Sequence, residues 1–102
     1  MTPLVEDQKE EPIALCRKFN VRTLELFGSA ARGTFDTETS DLDFLVDISA
    51  PTPGSHADSY FGLLFALEDL FSREVDLVEV GAVKNPYFLR AVEKDRTVIY
   101  AA

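Results

Sequence analysis

LFGSAARGTFDTETSDLDFLVDI, Leu26–Ile48, decides how this 102-residue chain is read. An apolar run ends on Gly28-Ser29. Thirteen residues beyond Gly28, the aspartates Asp41 and Asp43 stand one residue apart at the head of a second apolar run. Strand periodicity sorts that second run into two faces. Leu42, Phe44, Val46 and Ile48 share one face, and Asp41, Asp43, Leu45 and Asp47 share the other. The first predicts a sheet packed against helices, and the second an acidic surface lining a cleft.

Working outward, Val21–Phe27 reads as the preceding strand, with Leu24 and Leu26 facing one way and Thr23 and Glu25 the other. Before it, Pro12–Phe19 predicts a short helix, with Pro12 suited to the first turn and Asn20 to the stop. Gly28 ends the strand, and Ser29–Arg32 has room for one helical turn before the polar loop Thr34–Ser40. Beyond the second strand, SAPTPGS (Ser49–Ser55) is a turn-rich break. His56–Phe71 is helical in period, with Ser55 as its expected N-cap. Val75–Val80 predicts a third strand, Asn85-Pro86 opens a helix reaching about Lys94, and Thr97–Tyr100 makes a last short strand. The expected fold is α/β (α+β), a small mixed sheet of three to four strands flanked by helices, with residues 1–102 forming a single domain.

Composition narrows the function. Net charge is −8, and its distribution is uneven. Residues 1–32 and 73–102 each carry five acids and five bases, so the whole excess falls in residues 33–72, with eight acids and no lysine or arginine. Such a field repels a phosphate backbone and argues against direct nucleic-acid binding, while favouring divalent cations or a basic protein partner. One cysteine and one histidine cannot build a zinc site, and the lone Cys16 cannot close an internal disulfide. No apolar run approaches a membrane span, and MTPLVEDQKEEP lacks the plan of a secretory signal, so a cytoplasmic protein is expected.

Chemistry concentrates on the aspartates. Two residues apart on a strand, Asp41 and Asp43 have Cα atoms ~6.5–7 Å apart and project to the same side. Like charges so placed call for a cation between them, and carboxylate oxygens suit a hard divalent ion such as Mg2+. Asp76, in EVDLVEV, is the candidate third carboxylate from a neighbouring strand, completing a site for two ions that serves phosphoryl or nucleotidyl transfer. Gly28 lets the backbone approach a phosphate, a following turn offers unpaired N–H groups, and Ser29 adds a hydroxyl donor. Arg32, the only base between Arg22 and Arg73, can add a charge-assisted contact.

GSAARG…SDLDFLV followed by VDLV resembles the signature of the minimal nucleotidyltransferases (MNT), within the DNA polymerase β superfamily. The resemblance runs from LCRKFNVRTLELFGSAARG through NPYFLRAVEKDRTVIYAA. It implies that Gly28 and Ser29 bind the triphosphate of ATP and that Asp41 and Asp43 ligate both metals. It makes Asp76 the carboxylate that binds the catalytic metal and helps deprotonate the acceptor. Arg32 matches a position commonly basic in the motif. Eleven residues separate Ser29 from Asp41, one more than the commonest form of the motif. Members of this family resemble the antitoxin half of two-gene modules whose partner is a helical HEPN-family toxin. The implied reaction is AMPylation: transfer of AMP from ATP to a tyrosine of that toxin, with release of pyrophosphate.

Two other readings stay open. A non-catalytic binding module could neutralise a basic toxin by contact alone, using the acidic middle of the chain. Nucleotidyl transfer to a small molecule would need an acceptor pocket, and only about 22 residues follow Val80 to build one. Of the remaining polar residues, His56 is expected to be solvated or capping, Cys16 in the core, Asp47 too far along the strand to ligate, and Glu25 a lesser candidate for the cleft. The aromatic run Tyr60, Phe61, Phe65 and Phe71 is expected chiefly to pack the helix, with Tyr60 or Phe61 available to a partner.

Overall fold

A computed structural model of the chain describes residues 8, 10–27, 42–49, 53–80 and 97–101. Six elements follow in order: α1 (Glu10–Lys18), β1 (Val21–Phe27), β2 (Leu42–Ile48), α2 (Pro53–Phe71), β3 (Val75–Glu79) and β4 (Thr97–Ala101). The strands form one mixed sheet in the order β3-β2-β1-β4. β1 is antiparallel to both β2 and β4, and β2 is parallel to β3, as the crossover through α2 requires. The expected α/β architecture is met, with four strands.

Boundaries follow local chemistry. α1 starts two residues before the expected Pro12, with Glu10 and Glu11 in its first turn and Arg17 and Lys18 in its last, both signs favourable to the helix dipole. Asn20 then takes φ 59°, a left-handed position that asparagine tolerates, and its carbonyl accepts the Ser49 N–H at 2.8 Å. α2 begins at Pro53 rather than at His56, because proline fits a first helical turn; Ser55 therefore lies inside the helix and is not its N-cap. The helix ends before Ser72, at φ 53°. Beyond it, the Glu68 carboxylate accepts the Val75 N–H at 3.3 Å, tying the last turn of α2 to the start of β3. The predicted helix from Asn85 to Lys94 lies outside the described residues.

The core sits on one face of the sheet. Leu24 and Leu26 of β1 and Leu42, Phe44 and Val46 of β2 are fully buried against Cys16 of α1 and Leu63 and Leu67 of α2. Phe44 stacks on Phe71 with centroids 6.3 Å apart. The alternation read from β2 and from Thr23–Leu26 is the alternation observed, because one covered face pins the register; Val21 departs from it, since a register shift between Val21 and Thr23 brings it into the helix-covered core. Gly62 of α2 lies against Phe19, just beyond α1, and a Cβ there would force the Phe19 ring to shift. No helix among the described residues is long and apolar enough to cross a membrane.

Candidate active site

The opposite face carries the acids. Asp43 of β2 is half-buried and Asp76 of β3 is exposed, and the two are register partners across the parallel pair. Partners in register project from the same face of strands ~4.8 Å apart, so the sheet itself brings these two carboxylates together. On the other side of Asp43, its antiparallel partner is Phe27, the last residue of β1. Phe27, Asp43 and Asp76 thus form one row across three strands. Gly28 and Ser29 follow Phe27 directly in sequence.

One step down the strands, Leu45 pairs with Val78. Leu45 and Phe27 are buried, and Val78 packs on them, giving a small apolar floor beneath the row. Like charges opposite one another on a sheet repel, weakly where water screens the exposed Asp76, and a cation between them removes the repulsion. Hard oxygen donors are the ligands Mg2+ prefers, so the donor set fits that ion. Among the described residues no group of three or more metal-ligating side chains is assembled. Asp41, Gly28, Ser29 and Arg32 lie outside those residues, so two of the predicted site residues, Asp43 and Asp76, are the ones the fold unites here.

The residues set aside fall where chemistry places them. Asp47 is turned to Arg22, Oδ2 to Nη1 3.7 Å, in a surface pair away from the carboxylate row. Glu25 is half-buried on the acidic face, opposite Leu45. Cys16 is fully enclosed, and burial pushes its thiol pKa up to about 12. His56, in contrast, is neither merely solvated nor a cap: its Nε2 lies 2.6 Å from Oε1 of Glu79, linking the start of α2 to the end of β3.

Beside that link, Tyr60 donates its hydroxyl to the Leu77 carbonyl at 2.6 Å, on β3, the end strand of the sheet among the described residues. The Tyr60 pKa is raised, by burial first and then by the negative charges of Glu79 and Asp76. A pocket of about 490 Å³ lies here, lined by His56, Tyr60, Phe61, Leu77, Val78 and Glu79. Asp43 and Asp76 are not among its lining residues, although Leu77 directly follows Asp76. Sequence reasoning missed this feature because the spacing of His56 and Tyr60 on α2 does not reveal which strand edge they meet. The aromatic run also divides: Phe71 packs inward, whereas Phe61 and Phe65 are exposed. Their four-residue separation, out of phase with Leu63 and Leu67, was the available signal.

Residues 13–99 match the model of the nucleotidyltransferase domain family. The chain is 42% identical, over 79% of its length and 79% of the relative's, to a Methanocaldococcus jannaschii protein provisionally named a protein adenylyltransferase. The chain belongs to the nucleotidyltransferase domain family. A second M. jannaschii protein with the same provisional name is 36% identical over 76% of each chain.

Solved structures agree on the fold of this nucleotidyltransferase. A chain from a toxin–antitoxin complex with AMP-PNP superposes with a TM-score of 0.71 at 21% identity, covering 92% of this chain and 73% of that one. A chain from a Shewanella oneidensis complex of an MNT antitoxin with its tri-AMPylated HEPN toxin gives 0.65 at 17% identity, covering 95% and 72%. A provisionally described minimal nucleotidyltransferase gives 0.66 at 29% identity, covering 91% and 90%.

Proposed function

We propose that this nucleotidyltransferase is a metal-dependent protein adenylyltransferase that moves AMP from ATP to a tyrosine of a HEPN-type toxin and so acts as its antitoxin. The observation that carries the reading is the row Phe27–Asp43–Asp76, which sets two carboxylates in register on neighbouring strands. The curated relatives' provisional names and the toxin–antitoxin neighbours support it.

In this reading Asp41, Asp43 and Asp76 hold magnesium. Bound there, magnesium supplies charge neutralisation for the departing pyrophosphate and acidifies the acceptor hydroxyl. The protein's own groups do the rest. Backbone N–H groups at Gly28 and Ser29, with the Ser29 hydroxyl and the Arg32 guanidinium, bind and orient the triphosphate. Asp76 takes the acceptor proton as the phenolic oxygen attacks the α-phosphorus. The bond from that phosphorus to the bridging oxygen breaks and pyrophosphate leaves. AMP remains esterified to the tyrosine. The test is transfer of label from α-labelled ATP, with magnesium, to the HEPN-type product of the adjacent gene. Undiminished transfer by the Asp41→Ala/Asp43→Ala double variant rejects the mechanism.

The second reading, a non-catalytic module that neutralises a basic toxin by contact, draws on the exposed Phe61 and Phe65 within a lysine- and arginine-free segment. Neutralisation that survives the double substitution without nucleotide favours it.

A further inference from the structure

The outward side of α2 carries a pattern that neither folding nor the carboxylate row uses. Asp58, Phe61, Phe65 and Asp69 are all exposed, and their spacing of three, four and four residues sets them along one stripe. Phe61 and Phe65 are 52% and 62% exposed, a cost to solubility without a purpose in the isolated chain. The rings continue inward: Phe65 stacks on Phe61 at 6.3 Å, and Phe61 meets Tyr60 edge-on at 5.1 Å, at the wall of the pocket beside β3. An aromatic ledge therefore runs from the outside of α2 to the strand that carries Asp76.

We propose that this ledge and pocket form the docking surface for the acceptor protein, through a segment with an apolar anchor flanked by arginine or lysine. The identity of that protein rests on the function proposed above; the surface and its chemistry do not. Position supports it, because Leu77, Val78 and Glu79 of the pocket directly follow Asp76 along β3, and Val78 packs on the face that carries the acids. Charge supports it too. Asp58 and Asp69 bracket the two rings, Glu79 lies at the pocket, and residues 33–72 contain no lysine or arginine. The same charges argue against a second copy of the chain. The stripe is nearly symmetric about its midpoint, so twofold antiparallel pairing would stack the rings but set Asp58 of one copy against Asp69 of the other.

The experiment measures binding of the full chain to the HEPN-type product of the adjacent gene by calorimetry without nucleotide, and label transfer separately. Phe61→Ser/Phe65→Ser is expected to weaken binding about 30-fold, the loss typical of two aromatic anchors. Asp58→Lys/Asp69→Lys is expected to weaken it about 10-fold and to flatten its salt dependence. The corresponding loss in transfer falls on KM for the acceptor rather than on KM for ATP. All four side chains are exposed, and an unchanged urea midpoint verifies that the variants fold. Binding unchanged in both variants overturns the surface while leaving the enzymatic reading intact. Normal binding by the wild-type chain without transfer does the reverse. Two further outcomes overturn the proposal: no binding by the wild-type chain, or a wild-type dimer that Phe61→Ser/Phe65→Ser dissolves, which assigns the ledge to a second copy.

Discussion

The two faces of β2 differ by one step of the same strand. Leu42, Phe44 and Val46 point into a helix-covered core and are fully buried, whereas Asp43 stands on the other face with Asp76 beside it. The first face carries the stability of the fold, through apolar area removed from water. The second carries like charges that oppose it. A chain of this size has stability of about 5–15 kcal/mol to draw on, so the acids are tolerated because the core on the reverse side offsets them. The row of acids is affordable only where the sheet is packed from behind.

The sharpest way to break that comparison is to neutralise the acidic face. Asp76→Asn keeps the shape, removes one of two opposed charges and deletes the proposed proton acceptor. Transfer is expected to fall by a factor of about 10²–10⁴, the usual share of a general base. Urea unfolding should shift little, or toward greater stability, because a repulsion has been relieved. A variant that loses stability together with activity would mean that Asp76 supports the sheet rather than the reaction.

The opposite substitution should show the opposite signature. Phe44→Ala empties a fully buried site between β2 and Phe71 and is expected to cost about 3–5 kcal/mol in denaturant unfolding. Where the variant remains folded, at low temperature, its residual transfer activity should fall far less than in Asp76→Asn. Equal losses of activity would show that the two faces are not separable.

That separability was legible in the sequence because it rests on period. Alternation over Thr23–Phe27 and Leu42–Ile48 assigns each residue to a face, whereas Val21, beyond a register shift that no periodicity announces, joins the core out of phase. The pairing of Asp43 with Asp76 was legible only as a guess that β3 neighbours β2; the sheet order and parallel register supply it. The start of α2 was misplaced because Ser55 is a good cap by residue type, while Pro53 fits a first turn equally well from sequence alone. The ledge was legible only in part: the sequence leaves Tyr60 or Phe61 available to a partner, but not Phe65. Aromatic residues on a helix favour the core as a class, and only the phase of Phe61 and Phe65 against Leu63 and Leu67 separates outward from inward. His56 reached Glu79 across 23 residues, a distance no local pattern spans.

Cys16 sharpens the comparison from the core side, because it is an ionisable group enclosed where charge is excluded. Its thiol keeps its proton in the folded protein up to about pH 12, whereas its ordinary value is 9.0, and burial is the cause. Below pH 9 both states are protonated and the site contributes its full packing. Between pH 9 and 12 the unfolded chain binds fewer protons than the folded one, so stability falls as pH rises, by about 1.4 kcal/mol per unit for a single group. Tyrosines and lysines titrate in the same window, and Cys16→Ala separates them. The variant should be less stable than wild type at pH 8 by a constant packing loss, and the gap should close as pH climbs through 9 to 11. Curves that stay parallel would mean that the thiolate is accommodated in the folded state, and that the helix-covered face is more permeable to charge than its packing implies.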